Sequence, residues 1–238
     1  MRADEPASPP PDQDRPPGEG AAPGGGSSAA EGSAASDGRG RARRGLATGD
    51  LARVGVFAAL IAVLGLPGAF NVFGNAVPIT LQTFGVMLAG AILGSRRGAL
   101  AVAVLLVLVA AGLPLLAGGR GGLGAFTAPS AGFLIGWLPG AAVTGWIVER
   151  GGRSPGLVRL LVACAVGGMG VVYLVGIPVQ AVVAGISLGQ AALLTAVFLP
   201  GDVIKTVVAA IVVRGTQRAY PDAIPAVREE RLRAARQG

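Results

Sequence analysis

GALAVAVLLVLVAAGLPLLAGG, residues 98–119, runs without a charge between Arg96–Arg97 and Arg120. A hydrocarbon core about 30 Å thick takes roughly 20 apolar residues of helix, so this stretch is long enough to cross a bilayer. Its centre, VAVLLVLVAAGL, is apolar on every face, which predicts a lipid-facing helix over 97–116, entered by a tight turn at Arg96 and Arg97. Outward from it, the uncharged stretches Val54–Ser95, Gly121–Val148 and Leu160–Gly201 each hold one span or two. Pro67, Gly68, Asn71, Gly74, Asn75 and Pro78 divide the first into spans over 52–69 and 78–95. The run GGRGGLGAF at 118–126 is loop, because each glycine costs a helix about 1 kcal/mol. A fourth span follows over 131–149. The last stretch, weakened by Gly167, Gly168, Gly170, Gly176 and Pro178, divides at Ala181–Gly189 into 157–179 and 190–213.

The expected fold is therefore an all-α integral membrane protein, a bundle of six transmembrane helices over 46–215. Composition agrees: 52% of the 238 residues are hydrophobic and 14% charged, against about a quarter charged in soluble domains. Charge placement sets the orientation, since Lys and Arg collect in short cytoplasmic segments. With both termini cytoplasmic, all but Arg120 and Lys205 of the 20 basic residues fall inside.

Residues 1–45 are rich in Pro, Gly, Ala and Ser and carry almost no large apolar side chain, which predicts a disordered tail. No apolar stretch follows the start as in a secretory signal. The basic cluster at 39–44 and the basic tail 216–238 read as topology anchors against anionic lipid rather than as nucleic-acid sites.

Catalysis finds few candidates. The chain has no histidine, Cys164 is its single cysteine, and neither a metal-spaced cluster nor a GxxxxGK[ST] phosphate loop occurs, so no metal, cofactor or ATPase site is expected. Asp202 and Lys205 stand out instead. Three residues apart in LPGDVIKTVV, they share a helix face roughly 18 and 14 Å along the axis from Arg214. Charges at that depth cost about 2.5–3.5 kcal/mol even on the lenient scale, so they face a partner or a wet cavity. A mutual ion pair that locks the bundle is the plainer alternative. Arg120 sits among glycines that let a loop fold closely over a ligand and move. Thr80 and Gln82 add polar groups on the same side, although helix packing alone accounts for both. Ala58 and Ala62 make a small-xxx-small pair, by default a packing feature of the bundle.

Three segments in order, VPITLQTFGVMLAGAILGSRRGALAV at 77–102, AAGLPLLAGGRGGLGAFTAPSAGFLIGW at 110–137 and FLPGDVIK at 198–205, resemble the BioY proteins, the biotin-binding S components of energy-coupling-factor (ECF) transporters. The resemblance covers about 46–215. It implies a multi-pass protein of the bacterial cytoplasmic membrane, not an enzyme, that captures biotin from outside and works with a membrane coupling protein and two ATPase subunits. It implies that Ala58 and Ala62 dock on the coupling protein. Biotin suits the charges: Asp202 can accept from the ureido N–H groups, and Lys205 or Arg120 can pair with the valerate carboxylate. With Gln82, the apolar Phe84, Leu116 and Phe126 are expected to cover the ring and tail. Two departures are GLPLLAGGRGG, where Val-Phe is expected after the proline, and AFTAPSAG, where a Gly-Pro-Thr-Gly-like turn is common. Another vitamin, a stand-alone transporter or a membrane enzyme are the competing readings.

Overall fold

The computed structural model describes residues 48–68, 80–152, 155–220 and Ala234. The expected tail over 1–45, the loop near 70–77 and most of the basic tail lie outside these residues. Helices α1 (Thr48–Val63), α2 (Gln82–Leu93) and α3 (Ser95–Ala110) are followed by a 3₁₀ turn at Leu123–Phe126. Then come α4 (Ala131–Glu149), α5 (Leu157–Ala163), a π-helical segment (Cys164–Val171), α6 (Val172–Ala184), α7 (Leu188–Ala196) and α8 (Leu199–Ala219). Among the described residues the only extended pairing is an isolated antiparallel bridge between Leu116 and Arg120.

The helices α4 and Leu157–Ala184, the latter continuous through the π segment, are long and apolar enough to cross a membrane. A third crossing results if α7 and α8, bent by 56°, form one span. The surface fits lipid, for Val56, Leu174, Val182, Leu193 and Ile204 are all largely exposed.

Several expected boundaries move, each for a local reason. The turn into α3 is made by Gly94 at φ 87°, and Arg96 and Arg97 already lie in the first helical turn. α3 stops at Ala110 rather than 116, because Gly112 takes φ 104° and Pro114 follows. It is also not lipid-facing all round: Ala101, Val102, Leu105 and Val109 are buried while Val107 is exposed. An all-apolar sequence cannot say which side its neighbours cover. The glycines at 167–170 widen the helix into a π segment, and the break comes at Gly185, in the left-handed region and within the expected Ala181–Gly189. The last expected span is a bent pair, α7 with α8, and α8 carries on to Ala219.

α2 and α4 are the buried centre. Close approach requires glycine here: a methyl at Gly90 would strike the carbonyl oxygen of Ala141, and one at Gly140 would come within 2.8 Å of the carbonyl oxygen of Gly167. α1 contributes Val54, Ala58 and Ile61 on one face. At its start, buried Asp50 binds Arg97 Nε at 2.9 Å and Arg53 Nη1 at 3.4 Å. The α3 N-terminus is fastened similarly, with Ser95 N–H donating to Glu149 Oε1 at 2.9 Å.

Candidate ligand cavity

Pro200 opens α8 just past the bend, so Asp202 falls in its first turn, where the helix dipole favours an anion. One turn later Lys205 reaches back to Asp202 Oδ1 at 2.8 Å. Only 5% and 9% exposed, the pair would be expensive to bury without further partners. It has them: Tyr173 on α6 donates its hydroxyl to Asp202 Oδ2 at 2.5 Å, and Lys205 Nζ donates to Thr80 O at 2.6 Å and Thr83 Oγ1 at 3.3 Å. The three ammonium hydrogens thus have three acceptors.

Arg120 approaches from the glycine-rich loop, which folds closely, as its composition requires. Gly118, Gly119 and Gly122 take positive φ, and Gly122 N–H donates to Val109 O at 2.8 Å. Leu116 and Arg120 exchange backbone bonds of 3.0 and 3.2 Å. The Arg120 side chain donates Nε–H to Ala117 O at 3.2 Å and Nη1–H to Ser130 Oγ at 3.1 Å, leaving Nη2 without a partner among the described residues. Partial burial lowers its pKa from the ordinary value, and the guanidinium stays cationic.

Gln82, the first residue of α2, fastens this loop. Its Nε2 donates to Ile61 O at 3.2 Å and Leu115 O at 3.0 Å, and its Oε1 accepts from Ala117 N–H at 3.0 Å. It lines the cavity, but its amide hydrogens are committed to backbone.

Asp202, Lys205, Arg120 and Gln82 border one cavity, with Thr80, Thr83 and Ser130 as further polar walls. A second hollow, beside the end of α1, has no charged side chain among the described residues that line it. The first is the candidate site, since small-ligand sites combine apolar walls with a few fixed polar groups.

The expected apolar residues are not its walls. Phe84 is partly buried against the core cluster that holds Met87, Leu88 and Cys164. Leu116 is 2% exposed in the other core cluster, and Phe126 packs against that cluster. The observed walls are Phe133, Trp137, Tyr173 and Phe198. Phe133 meets Tyr173 and Phe198 edge-on, with ring centroids 6.3 Å apart in both pairs. A signal existed: the chain has only seven Phe, two Trp and two Tyr, and Phe133 and Trp137 stand four apart on one helix face. Ala58 points into the bundle. At 4% exposure it packs inside the bundle, and Ala62 is partly buried beside it, which leaves little of the pair for another protein.

A charged, aromatic-walled cavity enclosed by apolar helices defines an all-helical membrane protein built to hold a small polar molecule. The chain belongs to the BioY family, whose match covers residues 36–222. It is 48% identical over 182 residues to the biotin transporter BioY of Rhizobium etli, covering 74% of this chain and 97% of that one. It is 50% identical over 184 residues to the biotin transporter BioY of Rhodobacter capsulatus, covering 74% and 96%. Among solved structures, the S-component for biotin from an ECF-type ABC transporter matches with TM-score 0.69 and 29% identity, covering 73% of this chain and 95% of that one.

Proposed function

We infer that this chain is a biotin transporter subunit that holds biotin in the cavity between Arg120 and the Asp202–Lys205 pair. The observation that carries the site is the uneven commitment of its two cations. Lys205 gives all its hydrogens to Asp202, Thr80 and Thr83, whereas Arg120 keeps Nη2 without a partner among the described residues. The valerate carboxylate therefore pairs with Arg120. Asp202, whose oxygens each hold one hydrogen bond, retains lone pairs for the ureido N–H groups, and the four aromatic rings cover the bicycle.

The chain acts as the S component of an ECF-type transporter in the bacterial cytoplasmic membrane, in a six-span arrangement with both termini inside, driven by a coupling protein and two ATPases. The membership and the structural match support this reading, as does the skewed placement of Arg and Lys. With Ala58 buried, a coupling protein approaching α1 meets Gly55 and Ala59, exposed at the same spacing. Gly55→Leu then abolishes uptake while leaving biotin binding intact.

Calorimetric titration of the detergent-purified chain with biotin tests the ligand. Tight one-to-one binding supports the assignment, and a folded chain that binds no biotin overturns it.

A further inference from the structure

Trp137, on α4, lines the cavity and is 4% exposed, yet its indole Nε1 is buried without a hydrogen-bond partner among the described residues. A buried N–H left unpaired is costly and uncommon, and in a binding site it marks a group whose partner arrives with the ligand. The neighbouring donors are already engaged. Lys205 is saturated, the Gln82 amide holds Ile61 and Leu115, and the Tyr173 hydroxyl is given to Asp202. Among the described residues, Arg120 and Trp137 are the nitrogen donors of the cavity with a hydrogen to offer.

We propose that the Trp137 indole N–H donates to the ureido carbonyl oxygen of bound biotin and is a specificity-determining residue of the site. The inference rests on the biotin reading above. An indole N–H is a donor only, so it donates to a carbonyl oxygen and disfavours any ligand presenting an N–H at that point. An ionised carboxylate such as that of Asp202 accepts and cannot donate. Together they read the ureido group as donor and acceptor in a fixed order, while Arg120 holds the far carboxylate. A site built around a hydrogen bond rejects ligands lacking its partner more strongly than an apolar wall can, because the buried group is then left unpaired.

The test compares biotin with 2-thiobiotin, whose sulfur is a weaker acceptor at the same position, on the full chain and on Trp137→Phe. The full chain favours biotin by roughly three- to tenfold, the worth of one neutral hydrogen bond, and in the variant this preference falls toward unity. A second readout needs no substitution in the site. The chain has two tryptophans, and Trp146, half-exposed and stacked under Arg150, is assigned by Trp146→Phe. In nitrogen-15 spectra the Trp137 indole proton then moves downfield on saturation with biotin and less with 2-thiobiotin. Tight biotin binding with an unmoved indole resonance, or with an unchanged preference in a folded Trp137→Phe, overturns the proposal and leaves the biotin reading standing. Absence of biotin binding to the full chain overturns both.

Discussion

Tyr173 and Asp202, on helices 29 residues apart in sequence, share a 2.5 Å hydrogen bond that fixes one carboxylate oxygen while Lys205 fixes the other. The plane of the carboxylate is thereby set before a ligand arrives, which spares the ligand the entropy of ordering it. Tyr173→Phe keeps the ring contact with Phe133 and removes only the hydroxyl. Biotin affinity is expected to fall about tenfold, the scale of one hydrogen bond to a charged group, with a small change in melting temperature. Parallel titrations and thermal melts check both.

The ion pair itself separates locking from binding. Removing one partner leaves a buried uncompensated charge, at a cost of about 3–5 kcal/mol, whereas removing both is often neutral. Lys205→Met is therefore expected to melt well below the parent chain, and Asp202→Asn combined with Lys205→Met to regain most of the loss. If the pair also receives biotin, the double variant stays poor at binding despite its recovered stability. Recovery of both would make the pair a structural lock.

Asp202, Lys205 and Arg120 were legible in the sequence because charge is rare in lipid and each exception needs a reason. The aromatic walls were not, because an apolar helix that is wrapped by other helices has no polar face to give away its inner side. Phe84 and Phe133 look alike in sequence, yet one packs against a core cluster and the other borders the cavity. That the chain is helical and apolar was readable from its uncharged lengths. The helix ends were not, since Gly94, Gly112 and Gly185 act through single backbone angles that composition does not reveal.

Gln82 makes a different kind of prediction, because its bonds run to the loop rather than into the cavity. Gln82→Leu strips partners from Ile61 O, Leu115 O and Ala117 N–H, each loss costing about 1–3 kcal/mol where water cannot replace it. The Arg120 loop loosens as a result. Biotin is expected to dissociate at least about tenfold faster with association little changed, and the Ala117 amide to lose protection in hydrogen exchange. Unchanged dissociation would mean that the bridge between Leu116 and Arg120 holds the loop unaided.

Arg120 carries the last prediction, and the ligand supplies its control. A partly buried guanidinium facing a carboxylate contributes a charge-assisted bond, so Arg120→Ala is expected to weaken biotin about tenfold to a hundredfold. Biotin methyl ester has no anion to lose, and its affinity for the parent chain should already be reduced by a similar factor. The two changes should not add: Arg120→Ala should bind the ester nearly as well as the parent chain does, because both routes remove the same interaction. Arg120→Lys restores the charge without the fork that reaches Ala117, Ser130 and ligand together, so partial recovery is expected. If instead the ester binds the parent chain as tightly as biotin, the carboxylate is not recognised at all, and the free Nη2 of Arg120 serves the loop.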